Sequence, residues 1–302
     1  MLKEVLEALK PSAGGRYVDG TLGGAGHAEA ILEASSPGGW LYGCDQDDQA
    51  IERAQIRLAR FAGRYELRHG NFSELAEWLP EASCDGVLLD LGISSPQVDD
   101  PARGFSLIHD GPLDMRMDRR RPVTAAELVN TASGEELARI FRDYGDEREA
   151  RRFARAICHD RVSKPFRTTR QLAELIERLS PRAGRKTHPA TRVFQSLRIK
   201  VNEELVALEQ GLVGALGLLK PGGILAVITF HSVEDRIVKQ FGRAKARDYT
   251  FPGEVDVPEL RQPRAPEVEL VTRRAVTPGA EELAGNPRSR SAQLRVMRRL
   301  QT

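Results

Sequence analysis

The pattern of apolar and polar positions changes character twice along this chain. Up to about residue 100, short apolar runs alternate with amphipathic stretches. "RYVDG" (16–20), "GWLYGCD" (39–45), "YELRHG" (65–70) and "DGVLLDLG" (85–92) each read as a buried strand. Between them lie "HAEAILEA" and "DQAIERAQIRLARFA"; in the second, Ile51, Ala54, Leu58 and Phe61 recur at helical spacing. Strands separated by helices of this length predict a parallel α/β sheet.

From about 105 to 210 the pattern is helical throughout. "SGEELARIFRDYG" opens on Ser133 with Glu136 three residues on, a capping box. "EREARRFARAICHDR" and "TTRQLAELIERLSP" follow, the latter stopped near Pro181. The stretch 188–219 predicts one long helix, with Pro189 tolerated in its first turn. Phe194, Leu197, Val201, Leu205, Leu208 and Leu212 fall on one face, and Arg192, Gln195, Arg198 and Asn202 form a polar stripe on another. Alternation returns with the apolar strand "KPGGILAVITF" (220–230) and the helix-like "SVEDRIVKQFGRAKAR". A Pro-rich loop around 251–266 precedes "VELVTRRAV" and "SAQLRVMRRL", which read as two terminal strands. The expected fold class is therefore α/β, with residues 1–104 and 206–302 forming the sheet domain and 105–205 an inserted helical one.

Composition narrows the class. An apolar fraction of 40% and a charged fraction of 29% fit a soluble globular protein. No apolar run approaches the ~20 residues that span a bilayer. The start, "MLKEVLEALKP", is an amphipathic helix carrying acids, not a signal peptide, so a cytoplasmic location and no membrane contact are expected. Cys44, Cys84 and Cys158 lie far apart with no zinc-type spacing; they are expected to be small core residues, and no metal is expected. The net charge of +2 hides an asymmetry: residues 1–118 hold 10 Lys/Arg against 20 Asp/Glu, and residues 119–200 hold 20 against 10. A basic segment in an acidic chain is a footprint for a polyanion, or a solvated helical surface.

The chemistry collects at strand ends. In "VDGTLGGAGH" a strand closes at Asp19, and Gly20, Gly23, Gly24 and Gly26 let the backbone approach a ligand, with helix-start amides that favour anionic groups. The spacing is not G-x-G-x-x-G, which counts against a nicotinamide oxidoreductase. Asp45 closes the second strand, where a carboxylate can accept both ribose hydroxyls; alternatively it caps the next helix together with Asp47 or Asp48. Phe72 in "GNFSEL" suits an adenine face or the core equally. "DLGISSPQ" ends the fourth strand with Asp90 and a proline corner. Such a corner can offer a carbonyl to an exocyclic amine and pull its protons out of the ring plane, freeing the nitrogen lone pair by positioning and electrostatics.

Taken in order, "DGTLGGAGH", "DLGISSPQ", "RGFS", "DGPLDMRMD", "HPATRVFQSLRIKVNEEL", "FHSVEDRIVK" and "NPRSRSAQLRV" resemble the bacterial 16S ribosomal RNA cytosine-N4 methyltransferases from about residue 2 to the C-terminus. The resemblance implies a Rossmann-like class I methyltransferase sheet with an all-helical substrate-recognition insertion. It implies S-adenosyl-L-methionine as cofactor, N4-methylcytidine in the decoding region of the small ribosomal subunit as product, and a possible homodimer. By motif position, Asp19, Gly24, Ala25, Gly26, His27, Asp45, Phe72, Asp90 and Gln97 would meet the cofactor, and Ser94, Ser95 and Pro96 the target amine. Asp90 would hold the methionine or adenosine end.

Two departures stand out. Ala25 replaces the first glycine of the family's Gly-Gly-His, and is harmless if the backbone there is helical or extended. The family's short His- and Val-containing N-terminal segment does not precede "LKEVLEAL".

His188, Arg192, Gln195 and Arg198 are the expected RNA contacts, against a solvated helix face as the plainer reading. "DMRMD" (114–118) is expected on the substrate side, and Arg288 and Arg290 near RNA or the pocket. His231 is a general base or RNA contact, or part of a helix start with Ser232 as N-cap. A DNA amino-methyltransferase and a non-catalytic RNA-binding assembly factor are the competing functions.

Overall fold

The computed structural model describes every residue except 183, 185, 186, 254 and 302. The chain divides into two compact units, 1–92 with 206–302, and 93–205. Among the described residues no helix is long and apolar enough to cross a membrane.

Among the described residues the first unit contains nine strands: β1 (Arg16–Asp19), β2 (Trp40–Asp45), β3 (Tyr65–His69), β4 (Cys84–Asp90), β5 (Leu219–Thr229), β6 (Tyr249–Thr250), β7 (Gln262–Pro263), β8 (Val268–Leu270) and β9 (Gln293–Arg299). Seven form one sheet in the order β3-β2-β1-β4-β5-β9-β8. The first five run parallel, and β9 and β8 are added antiparallel. β6 and β7 make a separate two-stranded ribbon.

Successive residues of a strand face opposite sides of its sheet. Val87 and Leu89 therefore join one core cluster with Leu208, Leu212 and Val238, while Leu88 joins another with Ile31, Leu32 and Leu58. On β5, Leu225 and Val227 divide from Ile224, Ala226 and Ile228 in the same way. Both faces are covered, which is why these strands read as continuous apolar runs rather than alternating ones. Because β1 to β4 are parallel, the turns after Asp19, Asp45, His69 and Asp90 share one edge, where open α/β sheets bind ligands.

Two sequence readings of this unit change. "VELVTRRAV" gives only the three-residue β8, because Val271 and Thr272 both donate to Val296 O and the chain turns away, touching the sheet again at a bridge from Val276 to Leu294. The N-cap of helix Ser232–Lys245 is His231 rather than Ser232: its Nδ1 accepts from Glu234 N at 3.4 Å.

The second unit is a helical bundle of Ala125–Thr131, Gly134–Gly145, Ala150–Ser163, Thr169–Leu179 and Thr191–Asn202 around Leu137, Phe141, Phe153, Ile157, Leu172, Ile176 and Leu197. Ser133 caps its helix as expected, accepting from Glu136 N at 3.1 Å. The unit begins at Ile93 rather than 105, because Ile93 packs on this core and Arg103 donates to Arg116 O and Met117 O. With that boundary the unit holds 22 Lys/Arg against 17 Asp/Glu, a smaller excess than 119–200 alone, since five of the acids lie between 99 and 118.

The expected long helix over 188–219 is broken. Thr191–Asn202 and Glu204–Leu218 meet at Glu203, which is left-handed (φ 53°). Asn202, expected on the polar stripe, is fully buried instead. Its Oδ1 accepts from Met117 N, and its Nδ2 donates to Met115 O and Arg198 O, all at 2.8 Å. Burying an amide with every hydrogen bond made fixes that turn more firmly than the uninterrupted helical pattern would fix a straight helix.

Candidate active site

The loop after β1 is built from its own backbone. Gly23 N donates to Asp45 Oδ2 at 2.8 Å, and Asp47 N donates to Asp45 Oδ1 at 2.9 Å. Leu22 N reaches Cys44 O, and Asp90 N donates to Thr21 Oγ1 at 2.6 Å. The ends of β1, β2 and β4 are thus tied through one turn. Arg57, paired with Glu29, donates to Gly24 O at 2.9 Å from outside. Gly24 has open space where a side chain would stand, so a ligand can lie against its backbone. Gly26 opens helix Gly26–Ala34.

Ala25 is fully buried and left-handed, with φ 56°. This corrects the expectation of a helical or extended backbone there. Glycine is the residue without a steric penalty at that angle, which accounts for the family's Gly-Gly-His. The cap of helix Asp48–Leu58 is Asp47, accepting from Gln49 N, so Asp45 is released from that duty.

Three carboxylates crowd this edge. Asp19 is buried; Oδ1 accepts from Thr21 N and Oδ2 has no partner. Asp90 keeps a 28% exposed side chain yet is surrounded by protein, its Oδ1 without a partner and its Oδ2 3.5 Å from His27 Nδ1. Burial lifts Asp19 to about 6, and lifts Asp90 to about 7 with repulsion from Glu234 added. Burial also raises Asp45 and lowers His27, which favours a neutral ring. Uncompensated carboxyls of this kind suit a cationic guest.

Phe72 is 8% exposed, belongs to the core, and fills the space that a side chain at Gly211 would need. Core is thus its main role. In the second unit, Ser94 precedes helix Ser95–Asp99; its N donates to Gln97 Oε1 at 2.9 Å, while its buried Oγ has no partner. Gln97 is buried in this capping role, and Ser95 and Pro96 are exposed.

The expected RNA stripe is largely engaged internally. Arg198 forms a two-pronged pair with Glu204, both bonds 2.8 Å, with side chains only 12% and 10% exposed. Gln195 donates to Tyr144 O, and the exposed Arg192 to Asp146 O. His188 Nδ1 accepts from Ala190 N, and its ring lines a cavity of about 250 Å³ whose charged lining mixes Asp110, Glu174 and Glu177 with Arg170 and Arg182. "DMRMD" is self-satisfied: Asp114 grips Arg116 with two 2.8 Å bonds, and Met115 and Met117 are buried. His231 Nδ1 accepts from Glu234 N, and its Nε2 lies 3.0 Å from Glu234 Oε1 without an aligned hydrogen bond. Arg288 and Arg290 lie in the short turn Pro287–Ser291.

Residues 1–300 match the model of the MraW methylase family. The chain belongs to that family. It is 53% identical over 305 residues to the ribosomal RNA small subunit methyltransferase H of Syntrophotalea carbinolica, covering 99% of this chain and 96% of the relative. The same-named protein of Geobacter sulfurreducens is 52% identical, with 99% and 97% covered. Among solved structures, a putative rRNA-methylase from Clostridium thermocellum is similar at 12% identity, with 99% and 97% covered and a TM-score of 0.46. This family member is a methyltransferase with an α/β, Rossmann-like sheet, and its methyl donor is S-adenosyl-L-methionine. The edge fits that donor: two carboxylate oxygens lack partners where a cation would sit, and Gly24 leaves its backbone open.

Among the described residues no group of three or more His, Cys, Asp and Glu could hold a metal ion. Sequence reading missed Thr21 and Arg57. Thr21 lies within "VDGTLGGAGH" with no feature to single it out; Arg57 carries no local signal, because its partner Gly24 is 33 residues away.

Proposed function

We propose that this chain methylates the exocyclic N4 amine of a cytidine in 16S ribosomal RNA, with the small ribosomal subunit as its partner. The observation that carries the reading is the pair of unpartnered carboxylate oxygens, Asp19 Oδ2 and Asp90 Oδ1, on the edge that carries the glycine loop. Bound there, the cofactor supplies an electrophilic methyl group on a cationic sulfur. Asp45 would receive the ribose, while Asp19 and Asp90 would face the cationic end, with His27 neutral beside them. The amides of Gly24, Ala25 and Gly26 would meet its carboxylate.

Ser94, Ser95 and Pro96 follow Asp90 closely in the chain. In this reading they orient the amine, Ser94 Oγ being a buried acceptor with capacity to spare. Splayed bases are the usual target of sequence-specific RNA readers, so the cytidine would be unstacked. Arg192, exposed on helix Thr191–Asn202, is the residue of the expected stripe best placed for phosphate; His188, Gln195 and Arg198 would support it. The reading includes a cytoplasmic location and a homodimer.

The test is transfer of labelled methyl from S-adenosyl-L-methionine to small subunits lacking the modification, followed by nucleoside analysis. N4-methylcytidine at a single site is the expected product. A different methylated nucleoside, or cofactor binding without transfer, would refute the assignment.

A further inference from the structure

Between helix Ser232–Lys245 and β8 the chain makes an excursion over 246–267. Its regular structure, among the described residues, is the β6–β7 ribbon and the turn Pro258–Leu260. Connections longer than about 12–15 residues usually have a function of their own, and a lone two-stranded ribbon has little intrinsic stability.

A stack of rings and guanidinium groups organises this one. The Arg261 guanidinium lies 4.2 Å from the Tyr249 ring centre. The Arg247 guanidinium lies 5.8 Å from Tyr249 and 5.4 Å from Phe251, and the two rings are 6.4 Å apart with a 38° tilt. Asp256 locks the edges: Oδ2 accepts from the Tyr249 hydroxyl and Oδ1 from Arg261 Nε, both at 2.7 Å. Arg261 is exposed and Arg247, Tyr249 and Phe251 are half-buried, in a segment that also exposes Val255 (72%) and Leu260 (51%). None of its side chains belongs to the cofactor edge.

We propose that the stack of Arg247, Tyr249, Phe251 and Arg261 is a docking platform for an unpaired nucleotide of the RNA substrate. The inference rests on the RNA reading above. Aromatic and guanidinium planes accept a base by stacking whatever its identity. An apolar protein partner would instead have to bury both guanidinium groups. Fixing Tyr249 and Arg261 by their edges holds that half of the platform ready, so less ordering is lost on contact.

The experiment is steady-state methyl transfer to small ribosomal subunits lacking the modification, with wild type, Phe251→Ala, Arg261→Ala and Phe251→Trp. The alanine variants should raise the KM for subunits about tenfold each, in line with the loss of one base stack. Their kcat and cofactor affinity should not change, and Phe251→Trp should keep the wild-type KM. Alanine variants within about twofold of the wild-type KM would overturn the proposal. So would an unchanged KM with an altered oligomeric state, which would mark the stack as a protein interface. No transfer by wild type would instead overturn the RNA reading itself, and the platform with it.

Discussion

The glycine-loop edge of the sheet and the polar stripe of helix Thr191–Asn202 looked alike as sequence, yet their side chains are spent differently. At the edge, Asp19 and Asp90 each keep an oxygen with no partner, in surroundings that penalise their charge. On the helix, Arg198 is closed onto Glu204 and Asn202 is consumed by Met115, Met117 and Arg198. A motif residue is free to act on a ligand only to the extent that its own fold leaves its polar atoms unsatisfied. By that measure the edge keeps polar atoms available to a ligand, and most of the stripe is engaged within its own fold.

The sharpest way to break this contrast is Arg198→Ala. Opening a largely buried, two-pronged pair removes both Arg198 bonds to Glu204 and should cost about 3 kcal/mol in denaturant unfolding. An unchanged midpoint with weakened RNA binding would return Arg198 to the RNA interface. By contrast, Arg192→Ala should stay within about 0.5 kcal/mol of wild type in unfolding and act on RNA binding alone.

Asp45→Ala comes next. It removes the anchor of Gly23 N and Asp47 N as well as the proposed ribose acceptor, and should weaken cofactor binding roughly 30-fold. Calorimetric titration reads this directly; equal affinity in mutant and wild type would contradict the ribose role.

A smaller effect follows from Asp90. Its carboxyl, raised to about 7, is protonated over a range in which the unfolded chain is already ionised. The contribution of such a group to folding is full below its unfolded value near 4 and is lost as pH rises through about 7. Asp19 behaves alike through about 6. Without cofactor, stability contributed by these two acids should therefore fall between roughly pH 4 and 7. A cationic guest favours the ionised forms, so cofactor affinity should rise by up to about tenfold per pH unit below 7. Titrations at pH 6 and 8 test this, and Asp90→Asn should flatten the profile. A flat wild-type profile would separate Asp90 from the cation.

The smallest expected effect is at Ala25. Replacing it by glycine relieves a left-handed alanine and should stabilise the chain by about 1 kcal/mol, with cofactor affinity kept. Destabilisation on thermal unfolding would mean that Ala25 earns its place through packing.

What the sequence determined is what neighbouring residues settle. Apolar runs bounded by glycine and acid defined β1, β2, β4 and β5, since a strand buried on both faces leaves no alternation to misread. The turns at Asp19, Asp45 and Asp90 came with them, because each carboxylate lies at the end of its own run. The ordered motifs then identified the cofactor and the family. The tertiary structure decided what depends on distant partners. Glu203 breaks a helix whose periodicity continues unbroken, because Asn202 is claimed by Met115 and Met117, more than eighty residues away. Arg57 supports Gly24 across the sheet edge, and Phe72 is drawn into the core by the space at Gly211. Local pattern fixes which backbone forms; only folding shows which polar atoms remain unpaired and able to bind.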